Sequence, residues 1–299
     1  MAITAATKLS DFSGFLNREQ SEAIFSKAAQ QSVVQQLARR VPLGIAGQAI
    51  PVVTGKVQAG WVAEGAQKPA SSGSMALKTI DPKKIAAIAV VSKEVVRANP
   101  GGYMDEIRPQ IAEAFATSFD SAAFHGTSSP FATNLDTGST AQELTGTTPA
   151  VTALYDDFNT ALRTLLNAGK DPNGFAFDRK LEPEFNAQKD SSGRPLWTES
   201  PFTERAPAIR QGRVLGYDAF MGTGVKGAAA PFGYFGDWTQ VAWGAIGEIS
   251  YSVSTEATVT INGVLTSLWE NNLVAILAEA EYGFLVNDPA AFVRFINAV

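Results

Sequence analysis

The chain has 299 residues, 45% hydrophobic and 18% charged, with a formal net charge of −5. That length suits one large domain or two ordinary ones, and the charged fraction lies below the ~25% usual in soluble proteins, as expected if other subunits cover much of the surface, or from Gly and Ala enrichment alone. The balance of 24 basic against 29 acidic residues excludes a basic stripe that grips phosphates, though not a container wall that faces nucleic acid loosely. The absence of cysteine excludes disulfides, thiolate metal sites and cysteine nucleophiles. The first eight residues carry no basic region followed by an apolar core, and no run of ~18–20 apolar residues occurs. Neither secretion nor a transmembrane helix is therefore expected, and folding is expected in a cytoplasm.

Residues 1 to about 45 read as an arm. A turn at Ser10-Asp11-Phe12-Ser13-Gly14 precedes a helix expected from about residue 18 to 40. Its apolar positions, Ile24, Ala28, Val33 and Leu37, make a stripe too thin for a core of its own, so it should pack on the body or on a neighbouring chain. Residues 48–92 read as extended. Pro51 restricts the first run to an edge strand or a strand entry, Gln67 to Gly73 is turn-forming, and Ser74 to Ile80 returns as the second run. A hairpin this long and this poor in hydrophobic mass should project. The Ile-, Val- and Ala-rich run from Lys83 to Val91 reads as a buried strand.

Ser92 is placed to cap a short helix over Lys93-Glu94-Val95-Val96, and Asn99-Pro100-Gly101-Gly102 breaks the chain. A long helix from Tyr103 sets Met104, Ile107, Ile111, Phe115 and Phe119 on one face, with Pro109 predicting a kink or a later start. It should end near His125-Gly126 through a left-handed glycine, and 126–150 reads as loop. An amphipathic helix follows over about 152–168, with Leu154, Phe158, Ala161, Leu162 and Leu165 inward, Asp156 and Asp157 at its positive end, and Gly169 as terminator. Residues 170–240 alternate short strands and turns. The remainder holds extended runs at 248–253, 257–261 and 284–286 and a turn at Asn262-Gly263. The order of elements indicates an α+β chain without repeats.

Candidate chemistry is sparse. Gly222-Thr223-Gly224-Val225-Lys226-Gly227 matches a dinucleotide fingerprint with Glu248 downstream, but Ala228 to Gly233 includes Pro231 and cannot form the required helix, so it reads as a loop. His125, the single histidine, is expected to meet the carbonyls of its helix end. Asp156 and Asp157 point about 100° apart on a helix and do not converge. Glu279 and Glu281 share a strand face, where pairing with Lys or Arg is the favoured role over a metal. No cofactor and no metal site are expected.

Trp61-Val62-Ala63-Glu64-Gly65 with Pro69 and Ser71, then Lys83-Lys84-Ile85-Ala86 and Val90-Val91-Ser92-Lys93-Glu94-Val95, resemble the projecting-loop region of tailed-bacteriophage major capsid proteins of the Hong Kong 97 type. The helix ending Phe119-Asp120-Ser121-Ala122-Ala123-Phe124-His125-Gly126 resembles that family's spine helix. Ser192-Gly193-Arg194-Pro195-Leu196, Leu215-Gly216-Tyr217, Gly236-Asp237-Trp238 and Asp288-Pro289-Ala290-Ala291-Phe292 match in order, so the likeness runs from about residue 30 onward.

The resemblance implies an N-terminal arm at 1–46, an extended loop at 47–82 and a peripheral domain at 83–150 and 246–285, with its spine helix at about 103–125. The axial domain would take 151–245, with a return strand at 286–299. It implies a shell subunit that forms pentamers and hexamers around double-stranded DNA held by loose contact, assembled in the host bacterial cytoplasm. Scaffolding, portal and decoration proteins are implied partners, and no membrane is. Trp61 and Glu64, and more weakly Phe12 and Phe15, are the expected contacts with a neighbouring subunit. Some relatives join loop lysine to asparagine; Lys56, Lys68 and Lys78 could meet Asn262, Asn271 or Asn272, but no required carboxylate can be identified. An encapsulin-type nanocompartment shares the fold and would enclose enzymes. A soluble hydrolase would need a concave pocket with carboxylates of perturbed pKa.

Overall fold

The computed structural model describes residues 32–55, 59–64, 67–68, 70, 72–99, 103–126, 129–145, 154–187, 197–199, 209–226 and 231–297. In chain order its elements are α1 (Val33–Leu37), β1 (Arg39–Arg40), β2 (Gln48–Gly55), β3 (Ser74–Ile80), β4 (Lys83–Ser92), α2 (Lys93–Ala98), α3 (Tyr103–Phe124), β5 (Thr140–Leu144), α4 (Leu154–Asn167) and β6 (Gly174–Asp178). Then come α5 (Glu182–Ala187), β7 (Thr198–Glu199), β8 (Arg210–Val214), β9 (Tyr217–Gly222), β10 (Gly233–Gly236), β11 (Val241–Ser254), β12 (Thr258–Ile261), β13 (Val264–Ser267), β14 (Leu273–Val286) and β15 (Phe292–Asn297).

One sheet has the order β1-β11-β14-β4. Its long central strand β14 alternates Ile276, Ala278 and Ala280 onto one face, where with Val91 they meet Ile107, Ile111 and Phe115 of α3. The one-turn spacing of these α3 residues buries a continuous stripe, and the helix runs from Tyr103 through Pro109. The expectation of a buried strand at 83–91 holds only at its end. β4 lies at the sheet edge, its residues before Val90 are exposed or half-buried, and Ile88 faces outward. Small Ala residues at 86, 87 and 89 raise apolar content without requiring burial on both faces.

Ser92 accepts the Val95 amide at 3.3 Å, as expected of a cap. Ser92→Ala should therefore lower unfolding stability by about 1 kcal/mol. Urea titration checks it; no change in midpoint would show that the cap is redundant.

The second sheet has the order β5-β15-β10-β6-β9-β8-β7. On one face Phe175, Phe177, Phe235 and Phe295 pack beneath Leu154, Phe158, Ala161 and Leu165 of α4 and Phe185 of α5. On the other, Ala176, Tyr234 and Phe292 meet Val33 and Val34 of α1, Phe119 and Phe124 of α3, and Trp238. That second core also holds Trp243, Phe284 and Val286 of the four-stranded sheet, so the two sheets share it. Gly169 ends α4 with φ +68°, as its position suggests.

Several elements differ from expectation. The described part of the first helix is only Val33–Leu37, and Arg39–Arg40 instead pairs in parallel with Ala242–Trp243. Of its stripe, Val33 and Leu37 pack on the chain's own body, while Ile24 and Ala28 lie outside the described residues. Residues 140–144, read as loop, form β5 because β15 offers them a parallel partner. Gly126 does not adopt a left-handed conformation; it is small because a Cβ there would meet Asn134 Nδ2 at 2.9 Å.

Candidate functional site

Among the described residues β2 and β3 pair only with each other, Gln48 opposite Ile80 and Val53 opposite Met75. Directly opposed residues share a face of an antiparallel ladder. One face therefore holds Ile50, Val52, Lys78 and Ile80, which are at least half-buried. Ile80 sits with Ala242 and Leu285, and the Lys78 ammonium donates to the Asn287 carbonyl at 2.5 Å, anchoring the hairpin base. The other face carries Pro51, Val53, Met75 and Leu77, with Met75 and Leu77 68% and 72% exposed. Trp61, in the segment joining the strands, is fully exposed, and Val62 and Glu64 beside it are also exposed.

A two-stranded hairpin is marginal in water unless something covers it. A continuous apolar face with a free tryptophan is the composition of an interaction surface, since aromatic anchors dominate protein interfaces. The hairpin β12–β13 also exposes apolar residues: Val264 and Leu265 follow the Asn262-Gly263 turn, whose residues have φ +53° and +80°, and Trp269 lies beyond the other end of β13. The sequence reading singled out Trp61 and Glu64 but missed Met75, Leu77 and Trp269. Alternation of apolar residues in a strand with no second partner was the signal available for the first two.

Polar groups elsewhere act within the fold. The His125 backbone amide donates to the Ser121 carbonyl at 2.9 Å, but its ring turns elsewhere: Nδ1 lies 3.0 Å from Asp136 Oδ2, and the Tyr234 hydroxyl donates to Asp136 Oδ1 at 2.7 Å. Burial, and then the Asp136 charge, push the Tyr234 phenol far above its ordinary value. This trio resembles a catalytic relay only superficially, because His125 Nε2 is buried and meets no nucleophile among the described residues. Asp157 does more than complement a helix end, accepting the Thr145 amide and hydroxyl at 2.9 and 2.7 Å. Lys84 pairs with Glu279 at 2.6 Å, the role expected for that strand face. No group of metal-ligating residues occurs among the described residues. Residues 223–226 form bends after β9 and make no helix.

Lys68 is exposed, Asn271 donates to the Ser267 carbonyl at 2.8 Å, and Asn272 donates to Glu94. Phe12, Phe15 and Lys56 lie outside the described residues.

A two-stranded hairpin outside the larger sheets, a long helix across a four-stranded sheet and a separate seven-stranded mixed sheet together make the Hong Kong 97-type capsid fold. A chain from Gordonia phage Cozz superposes with a TM-score of 0.74 at 24% identity, covering 96% of this chain and 92% of that one. One from the capsid of an empty GTA particle gives 0.67 at 19% identity, covering 97% and 98%. The chain belongs to the phage capsid family, whose profile matches residues 13–295. It is 41% identical over 292 residues to gp17 of Mycobacterium phage D29, a probable major capsid protein, covering 96% of this chain and 92% of the relative. It is a structural protein of the phage capsid and not an enzyme.

Proposed function

We propose that the chain is the major shell subunit of an icosahedral phage head, associating with its own copies into pentamers and hexamers that enclose double-stranded DNA. The observation that carries this reading is the outer face of the β2–β3 hairpin, apolar and uncovered with Trp61 at its end. Trp61 and Glu64 contact a neighbouring copy there, the tryptophan as a buried anchor and the glutamate at its rim. Phe12 and Phe15 extend the contact through the arm. Repetition of one such contact by rotation closes a ring, and rings close a shell.

In this reading the arm takes residues 1–46 and the extended loop 47–82. The peripheral domain is 83–150 with 246–285, and the axial domain 151–245 with the strand in 286–299. The net charge of −5 suits a wall that lets DNA pack without binding it. Scaffolding, portal and decoration proteins complete the head, and assembly takes place in the host bacterial cytoplasm.

Negative-stain microscopy of the protein expressed alone and with its phage's head genes tests the reading. Closed particles or capsomer rings are expected, with DNA in the filled heads. A chain that stays monomeric at high concentration in both settings would overturn it, and particles filled with enzyme would favour a nanocompartment.

A further inference from the structure

At the root of the arm, residues 32–37 sit in a socket built by distant parts of the chain. A Cβ on Gly222 of β9 would lie 2.4 Å from Val33 Cγ2, and one on Gly174 of β6 would lie 3.0 Å from Leu37 Cδ2. Both glycines are notches that receive these side chains. Opposite stands Asp120 of α3, 1% exposed. Its carboxylate accepts the Val33 amide at 2.8 Å, the Val34 amide at 3.3 Å and the Ser32 hydroxyl.

Among the described residues, the groups that lower the proton affinity of Asp120 come from Ser32, Val33 and Val34, with no cation beside them. Four charged or titratable side chains on the surrounding elements have partners of their own. His125 meets Asp136, and the Arg40 guanidinium lies over Trp243. Asp178 accepts the Lys180 and Lys226 amides, and the Lys226 ammonium lies over Phe232. The segment that supplies the partners of this carboxylate also packs over it, beside the loop at Gly224.

We infer that Asp120 is a latch at the root of the arm, holding residues 32–37 in their socket more firmly in acid than in alkali. Burial pushes the seated carboxyl from 3.8 up to about 7, outweighing the hydrogen bonds that lower it. When the segment lifts away, the carboxyl meets water and returns to the ordinary range near ~4. The seated form therefore binds an extra proton between those values. Seating is firmest below the ordinary value, weakens as pH rises through about 7 and is constant above it.

Hydrogen–deuterium exchange of the full-length assembled protein, corrected for the intrinsic rate at each pH, reads this out in peptides covering 33–38. One proton limits the slope to about tenfold per pH unit. Protection should fall by up to that factor per unit between about pH 5 and 7 and then level off, while β14 peptides show no such trend. Asp120→Asn should be flat with pH. A flat profile in the unaltered chain, or the slope surviving in D120N, overturns the latch. Should D120N fail to assemble, Ser32→Ala removes one donor that favours ionisation and must move the midpoint upward; an unmoved midpoint is equally fatal.

Discussion

Trp61→Ala is expected to leave the chain folded and to abolish shell closure. The side chain is 106% exposed, so the subunit's own stability loses nothing from its removal. At an interface, truncating an aromatic anchor costs about 2 kcal/mol or more, and a shell repeats that loss at every copy. Gradient sedimentation should show particles replaced by free subunits or capsomers, while thermal unfolding of the subunit moves by less than about 0.5 kcal/mol. Glu64→Ala should weaken assembly far less, because a rim charge stays solvated. W61A particles formed at normal yield would remove Trp61 from the contact and leave Met75 and Leu77 as its candidates.

Phe175→Ala carries the largest expected loss of stability. The ring stacks on Phe235 with centroids 3.9 Å apart and also meets Phe177 at 5.1 Å and Phe158 at 5.7 Å. It is wholly buried on a central strand, so neighbours held by sheet hydrogen bonds cannot collapse into the space. A Phe→Ala change of this kind costs about 3–5 kcal/mol, a large part of the ~5–15 kcal/mol that holds a typical protein folded. Urea unfolding of purified subunits measures it, and insoluble expression is the cellular counterpart. A loss under about 1.5 kcal/mol would mean the aromatic core repacks.

Much of the capsid assignment was legible in the sequence because it rests on local patterns. The apolar stripe of α3, the amphipathic α4 with its Gly169 stop, the Ser92 cap and the Asn262-Gly263 turn are each decided within a few residues. So is the hairpin over 48–80, where two extended runs flank a turn-rich stretch. The order of short motifs along the chain carried the family, which the profile match over 13–295 bears out.

The tertiary structure decided what depends on partners far away in the chain. Thr140–Leu144 has no strand pattern of its own and becomes β5 only beside β15, some 150 residues later. The ring of His125 turns to Asp136 and Tyr234 because the loop and β10 bring an acid and a phenol to it. Asp120 reads as an ordinary helix residue until Ser32, 88 positions earlier, closes over it. Periodicity and caps are written by neighbours along the chain, so the sequence alone determined α2, α3, α4, the hairpin and the family, whereas Glu182–Ala187, read as strand and turn, folds as α5. Pairing, burial of charge and the choice of exposed hairpin face depend on contacts between distant segments, and only the folded chain decides them.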